Sequence, residues 1–186
     1  MKLLTIALAI FILTHLIPAF PALKQAVILK IGRPAYIAMF SAFSLVSLGL
    51  IIYAKSVAPF VHVYEPAAWS RHLALFLMVP ATILGIASFL PGHIRKVTRI
   101  PIFYAVILWV AAHLMANGDQ ASVMLFGSLG AYAIFSQVIK KYQVARDTDQ
   151  TAVHYWADIA AVIGGLGLYT GLLHLHAYVI GITIWY

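Results

Sequence analysis

Six long stretches without a charged residue limit what this chain can fold into. A hydrocarbon layer about 30 Å thick is crossed by about 20 helical residues, and each stretch is about that long or longer. The stretches are apolar on all sides and do not alternate as membrane strands do. We therefore predict an all-α, six-helix transmembrane bundle. The predicted spans are 3–23, 34–54, 72–94, 100–118, 120–139 and 159–186.

The composition agrees with a lipid-covered protein. Apolar residues make up 63% of the chain and charged residues 9%, against about 25% charged in soluble domains. The absence of cysteine excludes disulfides, thiolate metal sites and cysteine nucleophiles. The first stretch exceeds the roughly 7 to 15 residues of a signal-peptide core and has no small-residue cleavage site, so we expect it to be retained. Short connections and no repeats indicate a single membrane domain over 1–186.

The basic residues predict the orientation of the bundle. Nine fall on one side of the predicted spans and three on the other, and cytoplasmic loops are the ones enriched in lysine and arginine. Both termini are therefore predicted on the non-cytoplasmic side. Topology and anionic lipid explain the positive charge better than nucleic acid does, because no basic stripe or recognition motif is present. The nine are Lys24, Lys30, Arg33, Arg95, Lys96, Arg99, Lys140, Lys141 and Arg146, and the three are Lys2, Lys55 and Arg71.

Histidine is the main anomaly in so apolar a chain. Three of the eight histidines, His62, His93 and His154, fall in predicted loops, where solvation explains them. Ionisable groups at membrane depth are costly and mark a ligand, a proton path or a hydrogen-bonded structural partner. With no cysteine and few carboxylates available, heme iron, which takes neutral imidazole, fits better than zinc or di-iron. The five histidines within predicted spans are His15, His72, His113, His174 and His176.

Depth gives a first indication of which histidines could share an iron. At a rise of about 1.5 Å per residue, His113 lies about 8 Å from the non-cytoplasmic turn and His15 about 18 Å from that side. His72 and His174 are expected near the level of His113. Depth alone therefore favours His113 with His174 or His72 over His113 with His15, although helix tilt can close the difference.

The turn at 117–119 admits two interpretations. Asn117 follows His113 by four residues and so shares its helix face. Asn-Gly-Asp is a natural reversal in which we expect Gly118 to supply a positive φ. These residues either cap the two flanking helices, or Asn117 or Asp119 orients an imidazole.

Small residues in the last predicted span also have two interpretations. Gly164, Gly167 and Gly171 allow close helix approach, and the same faces would accept a flat ligand.

Several motifs resemble one family. The stretch HLMANGD from His113 to Asp119, followed by ASVMLFGS at 121–128, resembles the hallmark of the NnrU family of bacterial inner-membrane proteins. Thr14-His15, WSRHLA at 69–74, LPG at 90–92 and the segment from Pro101 to Trp109 are further family-like pieces. The resemblance covers nearly the whole chain.

The resemblance carries functional implications. NnrU proteins are linked to denitrification, and the same fold family includes zeta-carotene isomerase, a membrane enzyme that uses heme b. Its axial histidines correspond to His15 and to His113, the latter within Trp109-xxx-His113 after Arg99-x-Pro101. This chain departs from the enzyme at Lys55 and Ser56, where a further histidine lies, and at Val110, where a cysteine lies. These departures weigh more against isomerase activity than against heme binding.

We therefore predict a multi-pass protein of the bacterial inner membrane that binds one heme b. The axial ligands are His15 and His113, with His72 and His174 in reserve, and the supporting polar residues are Asn117, Asp119 and Arg99. The expected role is accessory or responsive to redox state or nitric oxide in nitrite and nitric oxide reduction. One alternative is a heme-dependent carotenoid cis-trans isomerase, and another is a small cofactor-free transporter or scaffold. The expected partners are membrane lipid and either denitrification components or an apolar polyene, and no nucleic acid.

Overall fold

The structure is a computed structural model that describes residues 1–144 and 152–180. Helices account for most of the described residues, which confirms the all-α prediction. A 3-10 turn at Ile17–Ala19 separates the first two helices. The helices are α1 (Lys2–Leu16), α2 (Pro21–Ile31), α3 (Arg33–Ser56), α4 (Ser70–Ala87), α5 (His93–Thr98), α6 (Pro101–Ala116), α7 (Gln120–Val144) and α8 (Tyr155–Ile180).

Within the described residues, five segments are long and apolar enough to cross a membrane. They are Lys2–Ala19, Arg33–Ser56, Ser70–Ala87, Gln120–Lys140 and Tyr155–Tyr178. The sixth apolar helix, α6, has 16 residues, or about 24 Å of rise, and so falls short of a layer about 30 Å thick. The prediction of several membrane helices is confirmed, while the number six and the orientation of the termini stay predictions.

Proline and glycine set helix boundaries that the charge pattern does not show. Pro18 and Pro21 end α1 at Leu16 and start α2, because proline lacks an N–H donor and is favoured at the first position of a helix. Gly32, with φ of 82°, separates α2 from α3. The predicted span over 3–23 is therefore a helix, a 3-10 turn and the start of a second helix.

The six longest helices follow an order of neighbours that differs from the chain order. α3 packs on α1, α1 on α7, α7 on α6, α6 on α4, and α4 on α8. The core lies where α1, α3, α6 and α7 meet. Its buried residues are Leu4, Ala7, Leu8, Ile51, Ala54, Val110, Ala121, Leu125 and Phe126.

α4 and α8 approach closely at glycine. A Cβ added to Gly165 would lie 2.5 Å from the Cα of Ile83, and one added to Gly164 would lie 3.3 Å from Ile86. Close packing thus explains Gly164, as one of the two interpretations predicts. Gly167 and Gly171 face open space.

The helix directions define two ends of the molecule. The turn end comprises the ends of α3 and α6 and the starts of α1, α4 and α7, beside the segment 57–69. The basic end comprises α2, α5, the ends of α4 and α7, and the starts of α3, α6 and α8.

Candidate functional site

His113 lies in the last turn of α6, within a cluster of aromatic rings. Its imidazole stacks on Phe126 of α7, with ring centroids 4.5 Å apart, and lies 4.9 Å from Trp109 one turn earlier. Nδ1 is 2.8 Å from the Trp109 carbonyl oxygen. Because a carbonyl only accepts, the proton of the neutral ring sits on Nδ1, and Nε2 carries the lone pair.

Asn117 lies close to His113 but does not orient its ring. The Asn117 side-chain amide donates to the main-chain carbonyl of His113 at 2.9 Å. The shared helix face predicted from the four-residue spacing is thus present, and the amide adds a second hydrogen bond to a carbonyl that already accepts the main-chain N–H of Asn117 at the end of α6. This agrees with the capping interpretation of the turn.

The other histidines of the predicted spans differ in exposure. His72 and His174, the reserve ligands, are both exposed, and Nδ1 of His174 is 2.8 Å from the carbonyl oxygen of Thr170. His176 of α8 is half-buried and lies within electrostatic range of His113. The level of a histidine along α8 does not show on which side of the helix it lies, so depth alone does not separate His176 from His174.

His15 lies in the last turn of α1, in a second aromatic cluster. Its ring stacks on Phe11 at 3.9 Å and meets the edges of Phe40 at 5.2 Å and Tyr132 at 6.1 Å. Nδ1 is 2.8 Å from the Phe11 carbonyl, so this ring also keeps its lone pair on Nε2. The Tyr132 hydroxyl donates to the His15 carbonyl at 2.9 Å and ties α7 to the end of α1.

The two imidazoles meet α7 at different levels. His113 contacts Phe126, and His15 contacts Tyr132, six residues further along the same helix. Six residues correspond to about 9 Å of helical rise. The structure therefore does not bring His15 and His113 together, and their pairing stays a prediction.

Asp119 forms an ion pair at the turn end. Its carboxylate lies 2.7 Å from the ammonium of Lys55. It also accepts hydrogen bonds from the hydroxyl and the main-chain N–H of Ser122, and Asp119 thereby caps the start of α7. Burial opposes ionisation, but the hydrogen bonds from Lys55 and Ser122 outweigh it, and the pKa of Asp119 lies below its ordinary value. Asp119 therefore holds α3 against α7 and does not contact the imidazole of His113.

The segment 57–69 folds over the turn between α6 and α7. Main-chain N–H groups of Val63 and Tyr64 donate to the Gly118 carbonyl at 2.9 and 3.1 Å, and Gln120 donates to Val61 at 2.8 Å. A Cβ on Gly118 would lie 1.7 Å from the Tyr64 carbonyl oxygen. In the described chain Gly32 is the glycine with positive φ, so the expectation of a positive φ at Gly118 is wrong, and close approach requires the glycine instead.

Tyr64 reinforces this contact. Its hydroxyl donates to the carbonyl oxygens of Leu114 and Asn117, the latter at 2.8 Å. Burial, and then the nearby charge of Asp119, raise the pKa of Tyr64 above its usual range. The hydroxyl is therefore a neutral donor at physiological pH.

Arg99 is exposed at the basic end and has a strained backbone. Its φ is 62° and ψ is −43°, and the N–H of Ile100 donates to the Thr98 carbonyl at 2.7 Å. These values describe a γ-turn of the rare type, which non-glycine residues seldom adopt. Arg99 lies two residues before the start of α6, at the end of that helix opposite to His113.

His93 and Asp158 form a second polar pair, at the basic end. Nδ1 of His93 lies 2.8 Å from the Asp158 carboxylate, which also accepts from the main-chain N–H groups of His93 and Ile94 at 2.9 Å each. Tyr155 stacks on the imidazole at 4.3 Å. The interpretation of His93 as a solvated loop residue is therefore wrong, since it starts α5 and is capped from α8.

In the part of the chain that the structure describes, no three histidine or carboxylate side chains converge in a way that would hold a metal ion. The polar groups instead occur as two separate pairs and two separate aromatic clusters. A ligand at this bundle would therefore rely on single imidazoles supported by backbone carbonyls and aromatic rings.

Comparison with known proteins adds one match. The family model described as NnrU protein matches residues 3–184, nearly the whole chain. No curated protein and no solved structure matches it.

Proposed function

The chain belongs to the NnrU family, and we propose that it is a heme-b-binding membrane protein that serves nitrite and nitric oxide reduction in an accessory or nitric-oxide-responsive role. The observation that carries the proposal is the imidazole of His113. We place the protein in the bacterial inner membrane with its basic end toward the cytoplasm, because lysine and arginine are concentrated there.

The chemistry of His113 fits an axial ligand to heme iron. Heme iron takes a neutral imidazole through its unprotonated nitrogen. The Trp109 carbonyl, which accepts from Nδ1, holds the proton away from Nε2 and fixes the plane of the ring, as groups behind a ligand commonly do. Trp109 and Phe126 surround the ring with apolar surface and so limit the access of water.

His15 fits the same ligand chemistry, but its position gives less support to the idea that His15 and His113 bind the same iron. The two rings meet α7 six residues apart, so one iron would bind both only after α1 or α6 shifts along α7. The assignment of His15 as the second ligand therefore rests on the family resemblance. When bound, heme b would supply a redox-active iron whose free or exchangeable axial position takes nitric oxide.

A cofactor-free bundle is the second candidate, and one observation favours it. In His15, His113 and His174, Nδ1 lies within hydrogen-bonding distance of the main-chain carbonyl oxygen four residues earlier. Polar side chains commonly form such local hydrogen bonds within a helix without binding a ligand. On this account the imidazoles pack against aromatic rings and bind nothing. Carotenoid isomerisation rests on the resemblance alone.

The test is the absorbance spectrum of the protein purified from heme-replete cells. We expect a Soret band in the wild type and its loss in His113→Phe, which keeps a ring against Phe126 but removes the ligating nitrogen. His15→Phe tests the second ligand in the same way, and His154→Ala, in an exposed segment, is the control.

The outcomes separate the candidates. A wild type without a Soret band supports the cofactor-free bundle. Full heme retention in His113→Phe contradicts the ligand assignment. Conversion of a cis polyene by the reduced, heme-loaded protein would favour the isomerase instead.

A further inference from the structure

The segment 57–69 presents an apolar surface at the turn end. Glu65 is its only lysine, arginine, aspartate or glutamate. Phe60 is 79% exposed and Trp69 is 63% exposed. Exposed apolar patches of this kind mark contact with a partner or with a membrane. The other exposed apolar side chains of the segment are Val57, Val61, Val63 and Tyr64.

Hydrogen bonds hold the segment across the end of α6. The Tyr64 hydroxyl donates to carbonyl oxygens in the last turn of α6 and in the turn that follows it. Ser70, at the start of α4, donates to the Met115 carbonyl at 2.6 Å. Main-chain N–H groups of Val63 and Tyr64 donate to Gly118, beyond the end of the helix. The apolar surface is therefore held in a defined position beside the last turn of α6.

The length of α6 places the segment at the membrane border. The 16 residues of α6 rise about 24 Å, which is about 6 Å less than the thickness of the hydrocarbon layer. Beyond the end of α6, His62 pairs with Asp119 as residues of two antiparallel strands do. Paired strands lie about 5 Å apart. The segment therefore adds about the thickness that α6 lacks.

The neighbours of the segment along the chain are membrane helices. Both Arg33–Ser56, which ends where the segment begins, and Ser70–Ala87, which begins where it ends, are long and apolar enough to cross a membrane. The segment is thus held close to the membrane at both ends. Trp69 is its last residue, and tryptophan is enriched where lipid headgroups meet acyl chains. These features favour lipid over a soluble protein as the partner of the apolar surface.

We propose that the segment 57–69 inserts into the lipid interface at the turn end, with Phe60, Val63 and Trp69 among the headgroups and the first carbons of the acyl chains. Non-helical backbone does not occur against lipid within the hydrocarbon layer, so the segment lies at the border of that layer and not deeper. Apolar groups at such a border are buried about 5 to 10 Å into it. The proposal concerns lipid contact alone and does not depend on heme.

Single cysteines test this placement, because the natural chain contains no cysteine. The full chain in phospholipid nanodiscs carries a nitroxide spin label at Phe60→Cys or at Val63→Cys. Electron paramagnetic resonance measures collisions of the label with oxygen, which concentrates in lipid, and with a nickel chelate, which stays in water. Val46→Cys, exposed midway along α3, is the lipid reference, and Lys96→Cys, exposed on α5, is the water reference.

The expected result is an intermediate depth for both labels of the segment. The ratio of oxygen to nickel collisions should exceed that of Lys96→Cys by about threefold and stay below that of Val46→Cys, because the border burial is shallow. Circular dichroism checks that each labelled variant keeps the helix content of the wild type. Val57→Cys, also exposed in the segment, replaces either position if its variant fails this check.

Three outcomes would overturn the proposal. A ratio equal to that of Lys96→Cys would place the segment in water, and a ratio equal to that of Val46→Cys would place it within the hydrocarbon layer. Low collision rates with both reagents would show that protein covers the apolar surface. Dipolar broadening between labels would then identify that protein as a second copy of this chain.

Discussion

The two ends of the molecule use the same device, a carboxylate that caps a helix start, in different ways. At the turn end Asp119 caps its own helix, pairs with Lys55, and is covered by the segment 57–69. At the basic end Asp158 of α8 caps α5, a separate short helix, and pairs with His93. The Asp119 side chain is 10% exposed, against 20% for Asp158.

The difference separates a junction between long helices from a contact with a short one. The pair of Lys55 and Asp119 joins α3 to α7 beneath the segment 57–69, so the turn end should behave as a fixed junction of α3, α6 and α7. The pair of His93 and Asp158 joins α8 to a helix of six residues and is more exposed to water, so the contact between α5 and α8 should open more readily.

The largest effect is expected from Asp119→Ala. The substitution leaves Lys55 partly buried without its partner and removes the cap of α7, so we expect a loss of about 3 kcal/mol in the free energy of unfolding. Thermal and denaturant unfolding in detergent measure it. Asp119→Asn, which keeps a capping oxygen, should lose less, and an equal loss in both would show that the cap contributes nothing.

The next effect is expected from Gly118→Ala. Its Cβ would meet the Tyr64 carbonyl, a backbone atom that cannot turn away, so we expect a loss of about 2 kcal/mol and faster proteolysis of 57–69. At the basic end, Gly92→Ala meets the Asp158 carboxylate and lies 3.2 Å from the main-chain nitrogen of Asp158. The side chain can move only by giving up its hydrogen bonds to α5, and we expect this to cost less than the backbone clash at Gly118. A greater loss for Gly92→Ala would reverse the comparison of the two ends.

Acid should weaken the turn end in a defined direction. Because the pKa of folded Asp119 is lowered, its ionised form stabilises the protein above the unfolded value of about 3.9, and this stabilisation is lost as pH falls through the lower folded value. The unfolding midpoint of the wild type should therefore fall more than that of Asp119→Asn between neutral pH and strong acid. Parallel curves would contradict the role of this ion pair.

The smallest effect is expected at Arg99, and it is a gain. Glycine adopts a positive φ without strain, so Arg99→Gly should stabilise the protein by about 1 kcal/mol. Arg99→Ala removes the same charge but keeps the strained backbone, and should not gain. If both variants gain equally, the side chain and not the backbone is responsible.

Much of the fold could be predicted from where charges are missing. The gaps between charged residues located the apolar helices because a charge inside lipid is costly. They misplaced the end of α1, where Pro18 and Pro21 interrupt an uncharged stretch. They also misplaced the start of α8, because Asp158 lies inside that helix, where N–H groups of α5 stabilise its charge. The family resemblance was confirmed over nearly the whole chain.

The site was less predictable because its contacts are distant in the sequence. His113 and Asn117 share a helix face, which the four-residue spacing predicts, but that spacing does not show that the amide meets a carbonyl and not the ring. The Lys55 pair with Asp119 spans 64 residues. The only indication of this pair in the sequence is that Lys55 and Asp119 carry opposite charges on the same predicted side of the bundle. The capping of His93 by Asp158 left no such pattern.

The distance along the chain between Lys55 and Asp119 bears on how the protein is made. α3 enters the bilayer carrying Lys55 before the ribosome has added the 64 residues that lead to its partner. Until then the lysine must extend its side chain toward the water at the membrane border. Asp119 is synthesised later, at the start of α7, and its ion pair with Lys55 then joins α3 to α7. Loss of this aspartate should therefore disturb the assembly of inserted helices and leave insertion itself intact.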